Sequence, residues 1–160
     1  CLSLQNKNIK VVRVANLFGN NFTNQILLLP TLIRSSLKGK KINIFVNKKS
    51  SKDYIHIDDL VSGHLQALEK ISNSNGSLEI INLGTGEGCS VLSILKTFER
   101  TNHLTIPYEF TQRRSGDVPE LYADPSYAFK SLGWNAKKSI KDMCKDSWLW
   151  QQKNPDGYNT

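Results

Sequence analysis

Two apolar runs constrain this chain more than any other feature. IKVVRV at 9–14 and LEIINLG at 78–84 are too short for free-standing helices and are dominated by β-branched and aliphatic residues. Such runs suit strands buried on both faces, the kind found inside a parallel sheet. They lie far apart in the chain, with two amphipathic strands, INIFV (42–46) and DYIHI (53–57), between them. The arrangement predicts one sheet contributed in pieces, with a smaller sub-sheet beside it.

Helical periodicity fills the gaps. After Pro30, TLIRSSLKG reads as a helix stopped by Gly39. Asp58 or Asp59 is placed to cap a helix whose inward face is Leu60, His64, Leu68 and Ile71. Ser90 is an N-cap for VLSILKTFER, with Val91, Ile94, Leu95 and Phe98 as the stripe, and IPYEF (106–110) is a further strand. A short helix follows Pro125 and stops near LGW. Ser139 then caps a last helix with Ile140, Met143, Cys144 and Trp148 inward. ANLFGNNF and TQRRSGDVP read as loops. Strands alternate with helices, so the fold class is α/β, and residues 1–160 form one unit without a repeat or a splitting linker.

Composition narrows the function. With 160 residues, 39% of them hydrophobic and 22% charged, the chain has enough apolar material for a folded core. The net charge of +7 comes as scattered doublets such as KGKK at 38–41 and Arg113-Arg114, without interleaved aromatics. That pattern argues against a nucleic-acid partner. No apolar run approaches the roughly 20 residues that span a bilayer, so no membrane partner is expected. CLSLQNKNIK has no signal-peptide core. Cys1, Cys89 and Cys144 form no Cys-x-x-Cys pair, and His56, His64 and His103 lack metal-ligand spacing. No metal site is expected, and a reducing, cytoplasmic setting is favoured. A start on Cys1 suits a truncated piece better than a lipid-anchored protein with a flexible tether.

The stretch IINLGTGEGCSVLSIL poses the question of a dinucleotide loop. The cofactor fingerprint is Gly-x-Gly-x-x-Gly between the first strand and helix of a βαβ unit, with an acid about 20 residues on. Here Gly84, Gly86 and Gly88 are spaced by two, Cys89 stands where the third fingerprint glycine belongs, and no acid ends the next strand. The loop is expected to be a structural turn, and no cofactor-binding residue is assigned to it.

Two other loops carry chemistry. Asn16 follows the end of a buried strand, where parallel sheets place ligands. Its amide either donates to a phosphate oxygen or closes its own turn. In TQRRSGDVPELYADP, a guanidinium suits a diphosphate and Asp117 could accept from ribose hydroxyls. A solvated charged loop is the alternative.

The segments DYIHIDDLVSGHLQALEK, INLGTGEGCSVLSI, RRSGDVPELYADPSYAFKSLGW and DSWLWQQKNPDGY together resemble the carboxy-terminal part of UDP-glucose 4-epimerases. These belong to the extended short-chain dehydrogenase/reductase superfamily, and the resemblance runs over essentially all of the chain. It implies the last strands of a Rossmann-like parallel sheet (9–14 and 78–83) plus the smaller substrate-binding α/β subdomain. It also implies a UDP-sugar substrate and an NAD cofactor that oxidises C4 of the sugar and reduces the keto-sugar on its other face. Homodimers are common in such enzymes. By the resemblance, Asn16 and Arg114 contact the diphosphate and Asp117 binds the uridine ribose. Leu28 lines the nucleotide pocket, while Asn43, Ile44 and Phe45 hold the uracil by backbone hydrogen bonds and packing.

There are departures. Lys52 stands where the family has an Arg before Asp-Tyr, keeping the charge and losing the planar fork. The segment between Phe45 and Asp53 is short, which leaves other NAD-dependent sugar-nucleotide epimerases, dehydratases and decarboxylases open. Leu121, at the gatekeeper position for the sugar's 2-substituent, leaves N-acetylated substrates open. Tyr54, Tyr108, Tyr122, Tyr127 and Tyr158 all lack a Lys four residues later. The resemblance places the catalytic Tyr-x-x-x-Lys pair and the cofactor loop in a preceding segment of roughly 150–200 residues. No catalytic residue is assigned here, and residues 1–160 alone are expected to lack epimerase activity. A catalytically dead UDP-sugar-binding module is the rival of a different class.

Overall fold

The computed structural model describes residues 9–18, 28–45, 51–72, 78–112 and 120–155. Among the described residues, eight strands pair two by two in parallel. β1 (Ile9–Val14) pairs with β6 (Leu78–Leu83), and β2 (Asn16–Phe18) with β5 (Tyr54–His56). β3 (Ile42–Phe45) pairs with β7 (Tyr108–Thr111), and β4 (Ser51–Lys52) with β8 (Glu120–Leu121). The helices are α1 (Leu28–Lys38), α2 (Ile57–Ser72), α3 (Val91–Asn102), α4 (Ser126–Leu132) and α5 (Ile140–Lys153).

Two cores sit on either side of β5. Leu29, Leu32, Ile42, Ile44, Ile94, Leu95, Phe98 and Trp148 belong to the first, together with Tyr54. Leu60, Ala67, Ile81, Leu83 and Trp134 belong to the second, together with Ile55. Successive residues of a strand point to opposite faces, so Tyr54 and Ile55 feed one core each. The two cores therefore meet at one buried strand, while the ladders among the described residues are four separate two-stranded sheets.

Local rules explain most elements. Ser90 accepts from the Ser93 N–H at 3.1 Å to cap α3, and Ser139 with Asp142 forms a capping box at α5. Gly39 and Gly133 take φ +60° and +69° at helix ends, where glycine alone is unstrained.

The differences are informative. α1 begins at Leu28, two residues before Pro30, because a proline in the first turn removes an N–H that has no helical partner anyway. ANLFGNNF is not all loop: Asn16–Phe18 forms β2, and the rest lies outside the described residues. Neither Asp58 nor Asp59 precedes α2; both sit in its first turn. The inward face of α2 is Leu60, Gly63 and Ala67, whereas His64 and Leu68 are exposed. Small residues win because α2 lies close against its neighbours: a Cβ on Gly63 would overlap the Leu83 side chain and sit 3.1 Å from Trp134 Nε1.

Candidate functional site

Asp53 organises the ground between the two cores. It is 1% exposed, and its carboxylate accepts four hydrogen bonds. The Thr85 N–H (3.0 Å) and hydroxyl (2.5 Å) reach Oδ1, and the N–H groups of Gly86 (3.0 Å) and Ala123 (3.1 Å) reach Oδ2. The glycine turn thus folds around a protein carboxylate. Gly84 admits no side chain there, because a Cβ would run into Asp53 and Ala123. The backbone of Asp53 is equally committed. Its carbonyl accepts from both the Asn16 N–H (3.0 Å) and the Asn16 side-chain amide (2.8 Å), and its own N–H donates to Leu121 (2.9 Å).

This hub gathers part of the predicted site. Lys52 precedes Asp53 on β4, opposite Leu121 of β8, and exchanges two backbone bonds with Cys89 (2.8 and 3.1 Å). Asn16 does not close its own turn: it starts β2, and its backbone N–H and side-chain amide both tie to the Asp53 carbonyl. A side-chain amide carries two N–H groups, so Asn16 keeps a second donor. Leu121 is exposed.

The remaining residues form a second group. Ile44 is buried in the first core and Leu28 packs against the same core, whereas Asn43 is exposed on the opposite side of β3. Ile44 therefore has only its backbone to give a ligand, and its carbonyl receives the Thr111 hydroxyl at 3.5 Å. Phe45 ends β3 opposite Thr111. Arg114 and Asp117 lie outside the described residues. On either side of them in the chain, Thr111 flanks Phe45 and Glu120–Leu121 flanks Ser51–Lys52.

Other polar clusters do structural work that sequence reasoning missed. The Asp59 carboxylate receives the N–H groups of Lys137 (3.1 Å) and Lys138 (2.9 Å), and its carbonyl receives the Trp134 indole N–H (3.1 Å). It joins α2 to the approach of α5, and a DD pair at a helix start was the available signal. Buried His56 accepts the Asp58 N–H on Nδ1 at 3.1 Å, and its Nε2 lies 3.4 Å from an Asp146 carboxylate oxygen. Burial pushes the Cys144 thiol up to about 12, so it stays protonated in the core. A cavity of about 410 Å³ lined by Gly84, Thr85, Phe129, Lys130 and Trp134 contains none of the predicted site residues. Among the described residues, no cluster of His, Cys, Asp or Glu has the makings of a metal site. No described helix is long and apolar enough to cross a membrane.

Residues 3–84 match the profile of the NAD dependent epimerase/dehydratase family. The chain belongs to this family. It is 44% identical over 129 residues to the UDP-glucose 4-epimerase of Bacillus subtilis, covering 77% of this chain and 38% of that one. With the Haemophilus influenzae UDP-glucose 4-epimerase it shares 51% over 107 residues, covering 67% and 31%. The UDP-glucose 4-epimerase from Bifidobacterium longum, solved with NAD+ and UDP, superposes with a TM-score of 0.88 at 31% identity. That match takes in 98% of this chain and 51% of the other. A relative from Stenotrophomonas maltophila, solved with NAD and formylated UDP-arabinopyranose, gives the same TM-score at 29% identity over 96% and 50%. The chain thus spans about a third of the length of these curated relatives and half that of these solved ones. The predicted family and α/β fold stand. For this family's cofactor the glycine turn is a poor fit, because the Thr85 and Gly86 N–H groups that a dinucleotide diphosphate needs are held by Asp53. No step through NAD is assigned to these residues.

Proposed function

We propose that this chain is the UDP-sugar-binding portion of a UDP-glucose 4-epimerase. The observation that supports it is the gathering of Asn16, Lys52 and Leu121 around Asp53 in a chain whose relatives are UDP-glucose 4-epimerases. The two ligand-bound relatives have a uridine diphosphate group in common. On this reading the Asn16 amide and Lys52 ammonium take the diphosphate with Arg114. Asp117 holds the ribose, Leu28 and the 43–45 backbone bound the uracil, and Leu121 borders the sugar. NAD belongs to polypeptide outside these 160 residues, and a cytoplasmic, homodimeric parent completes the proposal.

Calorimetric titration of the chain with UDP tests it. Saturable one-to-one binding is expected, weakened at least about tenfold by Arg114→Ala, since a charge-assisted bidentate contact is worth that much or more. A folded chain that takes up no UDP overturns the reading. In the same assay, Lys52→Arg is expected to tighten UDP about threefold to tenfold, because a planar fork matches two phosphate oxygens where an ammonium meets them as a point charge. Unchanged affinity removes Lys52 from the diphosphate site.

A further inference from the structure

The glycine turn has a third glycine whose role the Asp53 hub does not explain. Gly84 lies against Asp53 and Gly86 donates to it, but Gly88 faces the other way along the chain, toward β4. Its φ lies outside the left-handed range, so conformation does not require a glycine there. Space does. A Cβ on Gly88 would stand 2.5 Å from Ser51 Oγ and 3.1 Å from Ser51 Cβ, whereas Tyr122 at 3.7 Å leaves ordinary room. Turning the Ser51 hydroxyl away relieves only the first contact. The turn passes β4 too closely for even a methyl group.

The close pass bears on Lys52. Its N–H donates to the Cys89 carbonyl (3.1 Å) and its carbonyl accepts from the Cys89 N–H (2.8 Å), in an antiparallel bridge. Both backbone polar groups of Lys52 are thus spent on the residue next to Gly88. The flanking residues hold the other edge of β4. Ser51 and Lys52 lie in register with Glu120 and Leu121, and the Asp53 N–H donates to Leu121. β4 is two residues long, and Lys52 takes its place between Cys89 and Leu121.

We infer that Gly88 is a positioning residue for the nucleotide diphosphate. By admitting Ser51 it lets Cys89 pair with Lys52, and so sets the point from which the Lys52 ammonium reaches the phosphates. The inference rests on the reading of Lys52 given above and extends it to a residue that acts through the Lys52 backbone. A side chain at 88 presses β4 away from the turn and lengthens both bonds to Cys89. A binding group displaced by a fraction of an ångström loses much of its effect.

Calorimetric titration of the 160-residue chain with UDP and, in parallel, with uridine tests it. Uridine keeps the base and ribose but has no phosphate for Lys52 to hold. Gly88→Ala should weaken UDP about threefold and Gly88→Val about tenfold, with uridine affinity changed less than about twofold. In a Ser51→Gly background, Gly88→Ala should cost nothing, because the atoms it would meet are gone. In a Lys52→Met background it should again cost nothing, because the cation it positions is absent. Hydrogen exchange gives a readout that needs no ligand: the Lys52 and Cys89 amides should exchange faster in Gly88→Ala than in the unmutated chain. Equal loss of UDP and uridine, a loss that survives in either background, or unchanged exchange at Lys52 overturns the inference. An unmutated chain that takes up no UDP overturns the reading of the site and this inference together, whereas UDP uptake indifferent to Gly88→Val overturns this inference alone.

Discussion

Asp53→Ala is expected to cost about 3–5 kcal/mol of folding stability and to abolish UDP binding with it. The change strands four donors: the Thr85 N–H and hydroxyl and the N–H groups of Gly86 and Ala123. All four bonds are part-buried, and a buried donor left unmade costs about 1–3 kcal/mol. A typical domain has only about 5–15 kcal/mol in hand. Asp53→Asn is the sharper test, because it keeps the shape. Its amide must turn an NH₂ toward either the Thr85 pair or the Gly86–Ala123 pair, setting donor against donor. Asn should therefore be nearly as harmful as Ala. Asn16→Ala, which removes one bond to the Asp53 carbonyl, should cost about 1 kcal/mol. Urea unfolding followed by circular dichroism ranks the three. An Asp53→Asn chain as stable as the unmutated one removes the carboxylate from its central place.

The glycine turn shows what was legible in the sequence and why. Its spacing excluded the cofactor fingerprint from the residues alone, and the turn does fold on a protein group. What spacing could not supply was the identity of that group, because Asp53 lies 32 residues from Thr85 and only the tertiary fold brings them together. The same limit applies to α2. Period-counting selects large apolar residues for the core, so His64 and Leu68 were assigned inward, but a close helix approach selects Gly63 and Ala67 instead. Capping was legible throughout α3 and α5, since Ser90 and Ser139 act on residues three positions away. Of the candidate site, Lys52 and Leu121 belong together for a reason invisible locally: β4 and β8 pair across a long separation. Ile44 could be placed on a strand from its pattern, but its burial decides that it offers a ligand backbone and no side chain.

Glu79→Gln is expected to lower stability by about 3 kcal/mol near neutral pH, since breaking a buried ion pair leaves an uncompensated charge. Lys10 and Glu79 face each other across β1 and β6, 2.9 Å apart, on the covered side of the sheet. The Lys10 side chain is 1% exposed, and Lys70 of α2 reaches the second carboxylate oxygen at 3.0 Å. The hydrogen bond from Lys10, followed by those of Lys70 and Tyr127, outweighs partial burial and holds the Glu79 carboxyl at about 2, below the ordinary 4.5. The sign follows. A carboxyl whose value is lower in the folded state than in the unfolded one favours folding while ionised. Its contribution is complete above pH 4.5 and is lost as the pH falls from there toward about 2. Glutamine cannot ionise, so the gap in stability between the unmutated chain and Glu79→Gln should close across that same interval. A gap that stays constant from pH 7 to pH 3 refutes the charge-based account. Replacing the pair together, Lys10→Met with Glu79→Gln, should recover most of the loss at pH 7, because no buried ammonium is then left without its carboxylate. If the double variant is no better than Glu79→Gln alone, the cost lies in packing and not in the stranded charge.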